Sequence, residues 1–126
     1  MVKLLIVGAG GFLGAVARYG LSGLVHRLAG AGFPWGTLAV NVVGCLLIGG
    51  LMVWGEDRPM LSPTARLFLT VGLMGAFTTF STFGYETLEL LRDRQATLAG
   101  VNVAANVLLG LAAVWAGRAL CRVAGL

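Results

Sequence analysis

Apolar segments long enough to cross a membrane follow one another along almost the whole chain. They occupy residues 4–25, 36–54, 67–90 and 96–117 of the 126. A helix needs about 20 apolar residues to span a bilayer, and each segment provides a run of that order, the first by tolerating Arg18. The sequence therefore predicts an all-α membrane protein, a single transmembrane domain of four helices over residues 1–126.

Composition and charge exclude several other classes of protein. Of the residues, 11% are charged and 58% are hydrophobic, whereas a soluble domain carries about 25% charged residues. The net charge of +4 comes from basic residues at helix ends, where membrane proteins keep them, so it does not indicate a nucleic-acid partner. Cys45 and Cys121 lie far apart in apolar surroundings, and we expect free thiols rather than a disulfide.

Two patterns near the N-terminus imitate features of other proteins. Gly8, Gly11 and Gly14 resemble the phosphate-binding turn of a dehydrogenase, but the acidic residue and the alternating strands and helices that should follow are missing. The spacing of Gly10 and Gly14 instead favours close helix packing, and we predict that the protein is not an enzyme. Lys3 and the apolar run behind it resemble a signal peptide, but the later segments span the membrane regardless.

The distribution of basic residues leaves the orientation in the membrane open. With four spans, both termini and the loop at 55–63 lie on one side. The side with the termini holds five basic residues, Lys3, Arg58, Arg66, Arg118 and Arg122. The other side holds Arg27, Arg92 and Arg94, and also Arg18 if that residue reaches the interface. Because this bias is weak, the chain either takes one orientation set by other factors or inserts both ways and pairs antiparallel.

Residues 72–86 interrupt the third apolar segment with a polar stretch that reads GLMGAFTTFSTFGYE. Its hydroxyl and aromatic side chains are those of Thr78, Thr79, Ser81, Thr82, Phe80 and Phe83. Backbone at membrane depth must be hydrogen-bonded, so an irregular stretch survives only inside protein or beside a cavity. We predict that the third helix is broken here, in mid-membrane, and that the break is a functional site.

Polar residues also occur inside the other three segments. Thr37 and Asn41 share one helix face, as do Asn102 and Asn106, because each pair is spaced i, i+4. The amides serve either as hydrogen-bonding links between helices or as ligands of a transported species. Arg18 is open to two compatible interpretations, a structural arginine bonded to carbonyls or a carboxylate, and a basic vestibule that attracts anions.

Three motifs carry a resemblance that covers essentially the whole chain. Residues 10–19 read GGFLGAVARY, residues 36–44 read GTLAVNVVG and residues 72–83 read GLMGAFTTFSTF. With these motifs the chain resembles the Fluc (CrcB) family of fluoride channels. The last motif is the most specific, because few other kinds of short protein with four spans are expected to contain the run Thr-Thr-Phe-Ser-Thr-Phe.

The resemblance implies a dual-topology, antiparallel homodimer in the cell (inner) membrane of a prokaryote, with two fluoride pores built from both subunits. It also implies a structural sodium ion on the dimer axis, held by carbonyls that correspond to Gly75 and Thr78. The residues expected on the anion pathway are Asn41, Phe80, Phe83, Ser81, Thr82, Thr79, Asn106, Asn102, Thr37, Arg18 and Glu86. Ala76 replaces a glycine that is usual in the family, and asparagines replace hydroxyls on the fourth helix.

The chemistry of these residues suits a passive fluoride channel. Fluoride is small and strongly hydrated, so a selective pore must replace its water with closely spaced donors. Hydroxyls and amides supply them, and the positive edge of a Phe ring attracts an anion without trapping it. The carboxyl group of Glu86 is unfavourable beside the path of an anion. Our hypothesis is that it accepts hydrogen bonds from hydroxyls such as Thr82. The alternatives are a small dual-topology proton-coupled exporter, which needs a carboxylate at membrane depth, and a structural subunit of a larger complex.

Overall fold

The structure is a computed structural model that describes residues 1–57 and 61–125, and these ranges contain helices but no strand. In chain order the α-helices are α1 Val2–Ala29, α2 Trp35–Met52, α3 Pro63–Arg66, α4 Gly75–Phe77, α5 Phe80–Arg92 and α6 Ala96–Val123. Wider π-helical turns extend α2 over Val53–Asp57 and join α3 to α4 over Leu67–Met74. The four spans long and apolar enough to cross a membrane are Val2–Ala29, Trp35–Gly55, Pro63–Arg92 and Ala96–Val123. The prediction of an all-α membrane protein with four spanning helices is confirmed.

Local sequence sets where the helices begin and end. Ser62 caps α3 by accepting a hydrogen bond from the Ala65 N–H at 3.1 Å, and Pro63 occupies the first helical position. Gly30 ends α1 because its φ of 84° leaves the helical region. Arg58, which entered the comparison of charges on the two sides, lies outside the described residues.

The first span lies against the π-helical turns Leu67–Met74, and glycines bring the two backbones into contact. A Cβ at Gly14 would collide with the Leu73 carbonyl, and a Cβ at Gly10 would lie 2.5 Å from the Phe68 carbonyl oxygen. Such contacts are available only to residues without a side chain. The packing role predicted for the two glycines of α1 is therefore confirmed.

The buried core is small and lies beside the polar stretch of the third span. Val40, Met74 and Phe77 pack together in it, while many large apolar side chains on the outer helix faces stay exposed. Cys45 and Cys121 lie at the contact between α2 and α6 and are free thiols, as predicted. The fold thus places buried apolar residues next to the backbone that carries the candidate site.

Candidate functional site

Two residues with extended backbone separate α4 from α5. Thr78 has φ −82° and ψ 161°, and Thr79 has φ −150° and ψ 114°. The Thr79 hydroxyl caps α5, because it accepts the Thr82 N–H at 3.3 Å, and it donates its own proton to Thr82 Oγ1 at 2.9 Å. Ala76 has a negative φ, so the glycine usual at its position is not needed for this geometry.

The side chain of Asn41 on α2 holds the peptide groups on both sides of Thr79. The Thr79 N–H donates to Asn41 Oδ1 at 2.9 Å, and Asn41 Nδ2 donates to the Thr79 carbonyl at 3.1 Å. A peptide N–H only donates and a carbonyl only accepts, so these partners fix the orientation of the Asn41 amide. In an unbroken helix the Thr79 N–H would bond to the Gly75 carbonyl. Asn41 therefore replaces a lost intrahelical partner.

A chain of side-chain amides, which we name the asparagine relay, joins Asn41 to Asn106 and Asn102 on α6. Asn41 Nδ2 also donates to Asn106 Oδ1 at 2.9 Å. Asn106 Nδ2 donates to the side-chain oxygen and to the carbonyl of Asn102, each at 3.0 Å. The two amide protons of Asn41 are both used within the protein, which favours the interpretation of this residue as a link between helices.

Thr79 lies between two cavities. The larger, of about 610 Å³, is the basic cavity, and among its lining residues are Arg18, His26, Arg27, Thr37, Thr79, Thr82 and Glu86. The smaller, of about 250 Å³, is the phenylalanine cavity, lined by Asn41, Thr78, Thr79, Phe80, Phe83, Asn106 and Val107. Each residue predicted on the anion pathway lines one of these cavities, except Ser81, which is exposed, and Asn102, which is fully buried.

Cationic side chains give the basic cavity its character. Arg18 is half-buried in the cavity wall, and no hydrogen bond or ion pair joins it to another described residue. Its guanidinium donors are therefore available to the cavity, which favours the vestibule interpretation. Arg27 lines the same space, together with the uncharged polar side chain of Ser22, and cationic side chains grouped in a cleft, here the two arginines, raise the local concentration of anions.

Glu86 accepts a hydrogen bond from a hydroxyl, but the donor differs from the one hypothesised. Thr37 on α2 donates to Glu86 Oε1 at 2.8 Å. The hypothesis of a hydroxyl donor is confirmed, but the donor is Thr37, and among the described residues no hydrogen bond joins Thr82 to Glu86. Glu86 Oε2 is buried and has no hydrogen-bond partner in the described part of the chain. The carboxylate is thus tied to α2 through one oxygen.

The phenylalanine cavity is flanked by a tilted pair of aromatic rings. The ring centroids of Phe80 and Phe83 are 5.4 Å apart, and their planes are inclined by 57°. Phe80 is 82% exposed and Phe83 is half-buried, so the first ring reaches the protein surface while the second is held inside. Ring edges carry partial positive charge, so this pair offers an anion an attraction without a formal charge.

Thr87 on α5 is a residue of this network that the sequence reasoning missed. Its Oγ1 accepts a hydrogen bond from Asn102 Nδ2 at 2.9 Å and donates to the Phe83 carbonyl at 2.7 Å. The second contact has a sequence signal, because helical threonines commonly bond to the carbonyl four residues earlier. The first contact has none, because it depends on how α6 packs against α5.

Four apolar spans, with a polar interruption between two cavities, define a multi-pass α-helical membrane protein with an internal polar site. The family model described as CrcB-like protein, Camphor Resistance (CrcB), matches residues 5–118, and the chain belongs to this family. The resemblance found in the sequence is thereby confirmed.

Relatives match over nearly their whole length. A protein of Geobacter sulfurreducens named fluoride-specific ion channel FluC is 50% identical over 117 residues, covering 93% of this chain and 94% of that protein. A protein of the same name from Dehalococcoides mccartyi is 49% identical, covering 93% of this chain and 90% of its own. Another from Geotalea daltonii is 44% identical, covering 97% and 98%.

Proposed function

We propose that the protein is a passive, fluoride-selective ion channel that lets fluoride leave the cell and lowers its cytoplasmic concentration. The observation that carries this proposal is the position of Thr79 between the basic cavity and the phenylalanine cavity. Among the described residues that line the two cavities, Thr79 is common to both, so an anion that moves from the first cavity to the second passes beside it. The relatives from Geobacter sulfurreducens and Dehalococcoides mccartyi are named fluoride-specific ion channels, which supports a role in transport rather than catalysis.

The two cavities offer fluoride donors of graded strength. Arg18 attracts the anion at long range. The Thr82 hydroxyl accepts from Thr79, so its own proton is available to replace a water of hydration. The edges of Phe80 and Phe83 then provide a weaker attraction. Conduction needs sites that are favourable enough to enter and weak enough to leave, and this sequence of donors meets both conditions.

The working unit is an antiparallel dual-topology homodimer in the cell membrane of a prokaryote. Gly75 is exposed next to the extended residues Thr78 and Thr79. Irregular backbone at membrane depth cannot face lipid; Thr79 is already buried in this chain, whereas Thr78 is only half-buried, and a second inverted copy would cover it. The exposed ring of Phe80 then faces the partner and completes a pore that belongs to both subunits.

The residues around the interruption fit a structural sodium ion. In an unbroken helix the carbonyls of Gly75 and Thr78 would accept from the N–H groups of Thr79 and Thr82. The Thr79 N–H instead donates to Asn41 Oδ1, and the Thr82 N–H donates to the Thr79 hydroxyl. Carbonyl oxygens of interrupted membrane helices coordinate sodium, and the described residues contain no His, Cys, Asp or Glu cluster suited to a metal. Gly75 and Thr78 of both copies would hold the ion, whose charge links the subunits.

A second candidate, a small proton-coupled exporter, is favoured by one observation, the half-buried carboxylate of Glu86 with its unpartnered Oε2. Flux from liposomes separates the two functions. We expect purified protein to release loaded fluoride without a proton gradient and to retain chloride. Release that occurs only when a pH gradient is imposed would identify an exporter. Retention of fluoride under both conditions would contradict both functions.

A further inference from the structure

The asparagine relay does not end at Asn102. Asn102 Nδ2 donates a hydrogen bond to Thr87 Oγ1 at 2.9 Å, and the Thr87 hydroxyl donates in turn to the Phe83 carbonyl at 2.7 Å. At its other end the relay begins at the Thr79 N–H. Both ends therefore lie on the third span, four residues apart, and the connection between them passes through α2 and α6. We name the whole path the hydrogen-bond ring.

The hydrogen bonds that lead from the Thr79 N–H to the Phe83 carbonyl all run in the same direction, and one side branch returns from Asn41 Nδ2 to the Thr79 carbonyl. At one end the Thr79 N–H can only donate, and at the other end the Phe83 carbonyl can only accept. The amides between them must therefore all point the same way, and a flip of one would place two donors or two acceptors face to face. Aligned hydrogen bonds in a medium of low dielectric strengthen one another. The ring thus has a single stable arrangement.

Asn102 and Thr87 lie away from the space that an ion would occupy. Asn102 has 0% of its surface exposed, and neither residue lines the basic or the phenylalanine cavity. The other members of the ring are Thr79, Asn41, Asn106 and Phe83, and all four line the phenylalanine cavity. The two remote residues therefore close a frame whose remaining members form the wall of that cavity.

We propose that Thr87 and Asn102 are positioning residues for anion passage. They hold the Phe83 carbonyl on one side and, through the relay, the Thr79 peptide on the other, and so fix the width of the phenylalanine cavity. This inference rests on the proposed channel function. Breaking the hydrogen-bond ring at Thr87 lets the phenyl group of Phe83 shift relative to Thr79. An anion in the phenylalanine cavity then no longer finds its donors at fixed distances.

The test compares fluoride efflux from liposomes for three variants. Thr87→Val is nearly isosteric but cannot accept from Asn102, and we expect efflux to fall about tenfold, since a buried amide loses its partner. Thr87→Ser keeps both hydrogen bonds and is expected to transport like the wild type. The matched control is Thr70→Val in the same span, because Thr70 makes the same type of bond, to the Arg66 carbonyl at 2.7 Å, without belonging to the ring.

A second variant keeps the proposal falsifiable if Thr87→Val does not fold. The double variant Asn102→Leu with Thr87→Val removes both partners of the bond between these residues and leaves Asn106 Nδ2 its bond to the carbonyl of residue 102, which is less costly than leaving the Asn102 amide buried without its partner, and it still opens the ring. We expect a folded protein with reduced efflux. Equal efflux in Thr87→Val and Thr70→Val, or a folded double variant with wild-type efflux, would overturn the inference.

A spectroscopic measurement separates failure of this inference from failure of the channel function. 4-Fluorophenylalanine placed at position 83 reports the surroundings of that ring by 19F NMR, whether or not the protein conducts. Thr87→Val should shift this resonance, whereas Thr87→Ser and Thr70→Val should not. A wild type that releases no fluoride would contradict only the channel function, while an unshifted resonance in Thr87→Val would contradict the positioning role.

Discussion

Thr37 and Glu86 are joined by a hydrogen bond of 2.8 Å between residues 49 positions apart in the chain. The pair places the carboxylate in the wall of the basic cavity while one of its oxygens is occupied by a donor from α2. A hydrogen bond to a charged group is stronger than one between neutral groups. The bond therefore restrains a negative side chain in a cavity that otherwise attracts anions.

Removing either partner should slow fluoride release. Thr37→Val leaves the carboxylate without its donor, and we expect efflux to fall about tenfold, because such a bond is worth roughly 1.5–3 kcal/mol. Glu86→Gln adds an amide donor that holds the anion, and it should also slow efflux. Adding Thr37→Val to Glu86→Gln should then have little further effect. Thr97→Val, at an exposed position of α6, is the control, and unchanged transport and stability in Glu86→Gln would refute the role given to this pair.

Replacing a phenylalanine of the tilted pair should strongly reduce conduction without unfolding the protein. Phe80→Ile keeps apolar volume but removes the positive ring edge, and Phe80 is 82% exposed, so little packing is lost. We expect at least about a tenfold loss of efflux with the elution profile of the wild type. Phe12→Ile on α1, where the ring is 69% exposed, should behave like the wild type. Fluoride efflux at the wild-type rate in Phe80→Ile would contradict a role of the Phe80 ring edge in conduction.

Enlarging Gly44 should distort the interruption. An added Cβ would collide with the Thr78 methyl group and lie 3.2 Å from Cδ1 of Phe77. Overpacking of this kind costs about 1–3 kcal/mol, so Gly44→Ala should lower the thermal unfolding temperature and reduce efflux. Gly84→Ala on α5 meets no atom within 4 Å and serves as the control. Equal unfolding temperatures for the two variants would show that the collision is relieved elsewhere.

If sodium holds the proposed dimer together, removing sodium should weaken that dimer. A ligand that binds only the assembled state stabilises it by mass action, by about 2.7 kcal/mol at one hundred times its Kd. Exchange of sodium for N-methyl-D-glucamine should therefore lower the unfolding temperature of purified protein in detergent and increase the monomer fraction. Potassium serves as the control for ionic strength. A dimer that is equally stable in all three salts would rule out a structural sodium ion at Gly75 and Thr78.

The part of the site that could be predicted from sequence is the part that depends on local spacing. Asn102 and Asn106 are spaced i, i+4, and the structure joins their side chains directly. The partner of Glu86 could not be predicted, because Thr37 reaches it through the rotation of one span against another. The π-helical turns Leu67–Met74 also escaped prediction, since ordinary apolar residues form them and their sequence does not distinguish them from an α-helix.

The asparagine relay has a consequence for how the protein is made. The chain leaves the ribosome with its N-terminus first, so α5 emerges before Asn102 and Asn106 on α6 do. Until α6 docks, Asn41 has no second acceptor and the Thr87 hydroxyl has no donor. The ion pathway therefore forms only after α6 has packed against the other helices. A nascent chain halted after three spans would be a membrane protein without a complete ion pathway.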